Sequence, residues 1–258
     1  MTRSDLFFKF LYNKMDKSKQ RLDEYLENPT EKNIHDLRTS IRRLEMAYSI
    51  VPKSCRTKLS DNYVKQFKKI FSLNSQVRDY DIIHQKLSEY NFESEAKIWS
   101  EISREKNKKI SKSLKISKKQ SQLKRPEVRQ TDKIILKFER KIIRLIEDIE
   151  YYLPIVIHDE TKIEELHSLR KIVKKLRYTL EIEQENSHEG IITKLKRLQD
   201  ILGNIRDCDI FIWYLNKNET AYQKLANITK SEKEKRKRIY EKLVCLIVDF
   251  ETTLKDKT

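Results

Sequence analysis

The sequence predicts an all-α protein built from two four-helix bundle halves, and three observations predict it. Apolar residues recur at spacings of three and four along nearly the whole chain and never alternate over a sustained run, which is typical of amphipathic helices. Only 2 glycines and 4 prolines occur in 258 residues, so turn signals are few and the helices are long. Segments of the first half also return in the second half in the same order.

Prolines mark several of the predicted helix ends. Pro29 precedes a helix that Pro52 closes, and Pro126 follows the polar run SKKQSQLKR. Pro154 is expected to end the helix that carries the pattern IILKFERKIIRLIEDIEYYL, because proline has no backbone N–H to donate. The predicted helices span residues 4–27, 30–51, 54–90, 92–120, 128–153, 160–186, 188–217 and 219–255.

The internal repeat is carried by three pairs of segments. HDLRTSIRRL, which begins at His35, matches HSLRKIVKKL, which begins at His167, in charge and apolarity at nearly every position. VRDYDI at Val77 returns as IRDCDI at Ile205. A weaker match aligns Arg104, Lys108, Ile110 and Leu114 with Lys233, Lys237, Ile239 and Leu243. The three matches predict an N-terminal half over residues 1–125 and a C-terminal half over residues 126–258.

The composition limits the partners and the compartment. Lys and Arg number 56 against 40 Asp and Glu, and the net charge of +16 attracts polyanions or an anionic membrane surface. Cys55, Cys208 and Cys245 have neither disulfide nor zinc spacing, which fits a reducing cytosol. The N-terminal stretch is broken by charges, and no apolar run approaches the roughly 20 residues that span a bilayer. We therefore expect a cytoplasmic protein that does not bind membranes.

The helix from Pro29 to Pro52 has two separate faces. At about 100° per residue, the core arc is about 80° wide and comprises Ile34, Leu37, Ile41, Leu44 and Tyr48. His35, Arg38 and Arg42 cluster within about 60°, centred roughly 115° from that arc. These three residues are called the first basic face.

The later copy is built in the same way. Its core arc comprises Leu166, Leu169, Val173, Leu176 and Leu180. The second basic face comprises His167, Arg170, Lys174 and Arg177. A solvated basic stripe normally alternates with acids four residues away, whereas like charges at that spacing repel by a few tenths of a kcal/mol. A stripe that is acid-free from His35 to Arg42, and whose plan occurs twice, favours an anionic ligand over simple solvation.

These segments resemble a known family. LHSLRKIVKKLRYTLE with LQDILGNIRDCDI resembles the second half of a CHAD domain, the conserved histidine α-helical domain, and IHDLRTSIRRLEMAYSI with VRDYDI resembles its first half. The resemblance covers essentially the whole chain. It implies two four-helix halves related by pseudo-two-fold symmetry around a central basic cavity. It also implies binding of inorganic polyphosphate without a catalytic step, with association with polyphosphate granules among several open cellular roles.

The resemblance assigns ligand-binding positions in both halves. From the histidine motifs these are His35, Arg38, Arg42, Arg43, His167, Arg170, Lys174 and Lys175. The RDxD segments add Arg78 and Arg206, and the fourth helix of each half adds Arg104, Lys108, Lys233 and Lys237. The chain has Glu45 where the family often has arginine and Ser75 where it often has glycine, so weaker binding is expected in the first half.

The aspartates of the RDxD segments admit three interpretations. Asp79, Asp81, Asp207 and Asp209 can coordinate Mg²⁺ carried by the ligand, orient basic side chains, or cap a turn. Orientation is the favoured interpretation, and no resident metal or cofactor is expected. The histidines add a pH dependence, because imidazoles ordinarily protonate near pH 6.5. We expect affinity to rise as the pH falls from about 7.5 to about 5.5.

No enzymatic constellation is predicted. The His-Asp pair at His35 has Ser168 in place of aspartate in the later copy, and no upstream histidine supplies further metal ligands. There is no GxxxxGK[ST] loop. The alternative function is a nucleic-acid-binding helical protein, since nucleic acid would compete as a polyanion, but no aromatic residue alternates with the basic faces to stack bases. A third hypothesis is a basic scaffold for protein partners, insensitive to phosphate chain length.

Overall fold

In a computed structural model, the residues described are 2–90, 96–182, 188–218 and 225–255, and within them the chain is helical without strands. The helices are α1 (Arg3–Glu27), α2 (Glu31–Ile50), α3 (Lys58–Glu89), α4 (Ala96–Ser121), α5 (Lys133–His158), α6 (Ile163–Leu180), α7 (Glu189–Asn218) and α8 (Leu225–Lys255). A 3-10 turn lies at Lys53–Cys55. The prediction of an all-α fold is confirmed.

Contacts divide the chain into two units, Met1–Lys141 and Ile142–Thr258. The division falls inside α5, later than the boundary predicted between residues 125 and 126. The segment between α4 and α5 explains why the division falls so late, because this segment packs against the first unit. Tyr12 Oη, on α1, lies 3.1 Å from the backbone nitrogen of Val128, and the Ser4 hydroxyl donates to the carbonyl of Thr131.

Side-chain caps fix the helix starts in the first unit. Thr2 and Asp5 form a reciprocal capping box at α1, and Thr57 and Ser60 form another at α3. The Thr30 hydroxyl accepts from the Asn33 N–H at the start of α2. The cap at Thr57 explains why α3 begins after the 3-10 turn and not at the predicted residue 54.

The core of the first unit contains the predicted apolar arc of α2. All five residues of that arc are at most 5% exposed. They join apolar side chains from the neighbouring helices, and the fully buried ones include Phe8, Leu11, Met15, Leu22, Tyr25 and Phe67. Because this arc is buried in the core, the residues of the first basic face lie on a different side of α2, away from the core.

The second unit has one apolar cluster that joins α5 to α8. It contains all five predicted core residues of α6 together with Leu198, Leu202 and Ile205 of α7 and Leu243 and Ile247 of α8. Leu145 and Val156 of α5 belong to the same cluster. The predicted core arcs of both copies are therefore confirmed.

The prediction that Pro154 ends a helix is wrong, because α5 continues through it to His158. Two contacts explain why the lost backbone hydrogen bond is tolerated. Val156 is fully buried in the apolar cluster, and the Tyr240 hydroxyl lies 2.8 Å from the carbonyl oxygens of both Val156 and Ile157. Packing and a side-chain donor from α8 thus stabilise the last turn.

Other helix ends differ from the prediction by a few residues. Helix α5 begins at Lys133 instead of 128, and α6 spans Ile163–Leu180 instead of 160–186. The predicted starts of the fourth and eighth helices, and the predicted end of the sixth, fall at residues 92, 219 and 186, outside the described residues. Among the described helices, none is long and apolar enough to cross a membrane.

Candidate functional site

The first basic face projects from α2 alongside α3. Arg38 and Arg42 are half-buried, while His35, one turn nearer the start of the helix, is exposed. The three side chains share this side of α2 because their spacings of three and four place them on one stripe of the helix, away from the core arc.

Phe71 of α3 holds the two arginines of this face together. The guanidinium carbon of Arg42 lies 4.1 Å from the centroid of the Phe71 ring, and that of Arg38 lies 5.6 Å from it. Both distances are within the range of a cation–π interaction. The Nε atom of Arg42 is buried and has no hydrogen-bond partner among the described residues. One aromatic ring therefore fixes two like charges on adjacent turns, an arrangement that local sequence spacing does not reveal.

Arg78, in the C-terminal half of α3, lies near the N-terminal end of α2. Its guanidinium donates to the Glu31 carboxylate in the first turn of α2, with 2.6 Å between Nη1 and Oε1. This is one turn before His35. The predicted residue Arg78 is thus beside the first basic face, and an acidic partner already offsets part of its charge.

The second basic face lies on α6 beside α7, where a glycine of α7 lies against one of its arginines. A Cβ atom built at Gly203 would lie 3.8 Å from Arg170 Nε and 3.9 Å from its Nη2. The guanidinium of Arg170 therefore rests directly on the backbone of α7. The Nε of Arg170 and the Nδ1 of His167 are buried within this face.

Arg177 of the second basic face contacts three other side chains. Its Nε donates to Gln199 Oε1 of α7 at 3.0 Å, and its Nη1 lies 3.0 Å from Glu181 Oε1. Its guanidinium carbon also lies 4.6 Å from the centroid of the Tyr178 ring, and Lys174 Nζ lies 6.0 Å from that centroid. Because Glu181 pairs with it, Arg177 contributes less uncompensated charge than its position predicts.

The position that corresponds to Arg177 in the first repeat is Glu45. Its carboxylate lies 3.8 Å from Lys68 Nζ of α3. The chain thus has a carboxylate at the edge of the first basic face, where the family often has arginine. Ser75, the other departure, donates its hydroxyl to the Phe71 carbonyl at 2.8 Å.

The second aspartate of each RDxD segment has a buried side chain and makes an ion pair with the following helix. Asp81 Oδ1 lies 2.5 Å from Lys106 Nζ, and Asp209 Oδ1 accepts from Arg236 Nε at 2.6 Å. Arg236 also donates to the Glu160 carbonyl at 3.0 Å. These contacts agree with the interpretation that the aspartates orient basic side chains. Asp79 and Asp207 are half-buried.

The fourth-helix residues taken from the weak third repeat do not lie in these ion pairs. Arg104, Lys108, Lys233 and Lys237 are exposed. The side chains of Arg104 and Lys108 both lie near Glu105 Oε1, at 3.8 and 2.7 Å, and the hydrogen bond from Lys108 lowers the pKa of Glu105. The inward basic residues of these helices are Lys106 and Arg236, which the sequence analysis did not single out.

Arg43 is separated from the first basic face. It lines a cavity between α1 and α2 of about 100 Å³, together with Lys14, Lys17, Arg21, Asp36, Thr39 and Ser40. These residues are called the α1–α2 groove. The spacing of three and four residues indicates that Lys14, Lys17 and Arg21 lie on one side of α1. It does not indicate that they lie close to α2.

The remaining predicted positions lie in the second unit. Lys175, the counterpart of Arg43, is exposed, and Arg206 of the second RDxD segment is half-buried. Among the described residues, no group of three or more His, Cys, Asp or Glu side chains is placed to hold a metal ion.

The chain matches a known protein family in sequence and a solved structure in fold. The family model of the CHAD domain matches residues 14–216. The chain is also similar in fold to the crystal structure of the CHAD domain from the plant Ricinus communis, with a TM-score of 0.65 and 13% sequence identity, over 95% of this chain and 91% of that chain. No curated protein matches the sequence. Because the family model covers well over half of its length, the chain belongs to the CHAD domain family.

Proposed function

We propose that the protein binds inorganic polyphosphate through its first and second basic faces, without catalysing a reaction. The observation that carries the proposal is the pair Arg38 and Arg42, held side by side on Phe71 on a helix that repeats the plan in α6. Holding like charges together costs free energy, which an anionic ligand offsets.

Polyphosphate fits the chemistry of these faces. It offers about one charge per phosphate along a flexible chain and has no bases or side chains to be read. Recognition then depends on charge-assisted hydrogen bonds, with two-pronged contacts from arginine and point charges from lysine. His35 to Arg42 spans about 10 Å at 1.5 Å per residue, so one helix can contact several successive phosphates.

The geometry of the first basic face supports polyphosphate over nucleic acid as the ligand. Phe71 is the aromatic residue beside this face, and the Arg42 guanidinium lies over its ring. A ring covered in this way is not a platform for a base, whereas stacking contributes about 1–3 kcal/mol per base in proteins that bind single strands. The net charge of +16 serves either polyanion, but the geometry favours the one without bases.

Titration with long-chain polyphosphate tests the proposal. Arg38→Gln/Arg42→Gln should weaken binding by about tenfold or more, because each charge-assisted hydrogen bond contributes about 1.5–3 kcal/mol. Arg140→Gln/Arg144→Gln is the matched control, since it removes two exposed arginines of α5 at the same spacing. Equal losses in the two variants would show that only net charge matters and would contradict the proposal.

Titration with polyphosphates of defined length separates this proposal from a scaffold for protein partners. Polyphosphates of increasing defined length should bind progressively more tightly until the faces are filled, because each further phosphate adds contacts. A scaffold for protein partners would show no dependence on length.

Recruitment to polyphosphate granules is part of the proposal and is checked by imaging the tagged wild-type protein and Arg38→Gln/Arg42→Gln in cells that accumulate polyphosphate.

A further inference from the structure

We propose that the α1–α2 groove is a second site for a phosphate group, on a different side of α2 from the first basic face. It goes beyond the proposed function, which concerns the two basic faces alone. The groove encloses about 100 Å³, well above the roughly 15 Å³ that a water molecule requires. Four of its seven lining residues are cationic.

Helix geometry explains why these cations line one cavity. Lys14, Lys17 and Arg21 follow one another at three and four residues on α1, so they lie on one stripe of that helix. On α2, Asp36, Thr39 and Arg43 follow the same rule. A stripe of seven residues is about 10 Å long, so the two helices present two walls of similar length.

Arg43 faces the groove instead of joining Arg42. At about 100° per residue, neighbouring positions on a helix point in different directions, and Arg43 is about 100° from Arg42. Arg42 lies over Phe71 on the side of α3, whereas Arg43 lines the cavity on the side of α1. The adjacent arginines of the sequence motif therefore serve two different surfaces.

Two carboxylates reduce the charge of the groove without cancelling it. Arg21 Nη1 lies 2.5 Å from Glu24 Oε2 and 3.5 Å from Asp36 Oδ2. The hydrogen bond from Arg21 lowers the pKa of Glu24, so that carboxylate stays ionised at neutral pH. The groove cations Lys14, Lys17, Arg21 and Arg43 still outnumber these two carboxylates by four to two, and Lys14 Nζ lies 4.3 Å from the Phe10 ring centroid.

A phosphate group matches the chemistry of the donors that line the groove. It carries up to two charges and several oxygens, which accept hydrogen bonds from ammonium, guanidinium and hydroxyl groups at once. The Thr39 side chain lines the cavity and can supply the hydroxyl donor. Free orthophosphate and the terminal group of a polyphosphate chain share this chemistry.

Backbone NMR of the full-length ¹⁵N-labelled protein tests the groove apart from the basic faces. Orthophosphate and tripolyphosphate are titrated separately into the wild-type protein, Arg38→Gln/Arg42→Gln and Lys14→Gln/Lys17→Gln. Shifts of the Lys17, Thr39 and Arg43 amides should persist when the first basic face is removed. They should need at least fivefold more ligand in Lys14→Gln/Lys17→Gln. Tighter binding of tripolyphosphate identifies the chain end as the ligand, and equal binding identifies orthophosphate.

Lys9→Gln/Lys32→Gln is the matched control, because both lysines are exposed on the same two helices and lie outside the groove. It should bind as the wild-type protein does. Groove amides that do not shift in the wild-type protein, or that respond equally in both lysine variants, overturn the inference. The proposed function is then judged separately, from the loss of polyphosphate binding in Arg38→Gln/Arg42→Gln.

Discussion

The first and second basic faces follow one sequence plan but rest on different supports. In the first unit, Phe71 of α3 lies under Arg38 and Arg42. In the second unit, α7 supplies Gln199, which accepts from Arg177, and Gly203, against which Arg170 lies. Repeated basic residues therefore need not have repeated neighbours, and each support can be altered separately.

The ion pairs of the two RDxD segments differ in burial, and this difference should give the largest effect. The side chains of Asp209 and Arg236 are 7% and 10% exposed, whereas Lys106, the partner of Asp81, is 33% exposed. Removing one partner of a buried pair typically costs about 3–5 kcal/mol. Asp209→Ala should approach that loss, and Asp81→Ala should cost clearly less because Lys106 can turn to water.

Chemical denaturation of both variants measures this difference. Asp209→Asn and Asp81→Asn serve as controls of similar shape that remove only the charge. Equal destabilisation by the two alanine variants would show that the exposure of the basic partner does not decide the cost of losing the aspartate.

The support of the first basic face should have the next largest effect. A cation–π contact contributes about 0.5–2 kcal/mol, so Phe71→Leu should weaken polyphosphate binding by several-fold while it keeps an apolar residue on α3. Gln199→Leu should change affinity less, because Arg177 keeps its ion pair with Glu181. Calorimetric titration of both variants checks the order, with thermal unfolding to verify that they remain folded. The reverse order would place the stronger support in the second unit.

The fold was largely predictable from the sequence because its signals are local. The spacing of Leu37, Ile41 and Leu44 determines which side of α2 is buried, and the same rule places Arg38 and Arg42 together. The prediction that Pro154 ends a helix was wrong because a local rule cannot include the burial of Val156 or the hydrogen bond from the Tyr240 hydroxyl.

The site was less predictable because its neighbours are distant in sequence. Phe71 and Arg42 meet only through the packing of α2 on α3, and no periodicity reports that contact. The weak third repeat singled out Lys108, whereas Lys106 makes the ion pair, because two residues along a helix change the direction of a side chain by about 200°. Arg43 was grouped with Arg42 by motif and separated from it by geometry.

The backbone under the second basic face offers a smaller test. A Cβ at Gly203 would meet Arg170 at 3.8 Å, an ordinary contact distance, so Gly203→Ala should fit. Alanine in a helix interior is favoured over glycine by about 0.5–1 kcal/mol, and the variant should be more stable by about that amount. Ser75→Ala at the corresponding position should gain less, because serine is already a better helix former. Thermal unfolding that shows Gly203→Ala to be destabilised would contradict the described position of Arg170.

The histidines should give the smallest effect. A proton on either imidazole adds positive charge, so polyphosphate binding should tighten a few-fold as the pH falls from about 7.5 to about 5.5. His35 is exposed and His167 is half-buried, so His35→Gln and His167→Gln separate the two contributions. Titrations at four pH values, with the double variant as the flat reference, measure them. A profile in the wild-type protein as flat as that of the double variant would exclude histidine protonation from binding.

The most direct test of the central claim is competition between polyphosphate and nucleic acid on the two faces together. A labelled single-stranded oligonucleotide is bound to the wild-type protein and to Arg42→Glu/Lys174→Glu, and each is titrated with polyphosphate of defined length. Polyphosphate should displace the oligonucleotide from the wild-type protein at far lower concentration than unlabelled nucleic acid does, and the folded variant should bind polyphosphate much more weakly. Displacement in the reverse order, or equal polyphosphate binding by both proteins, would contradict the assignment of the basic faces.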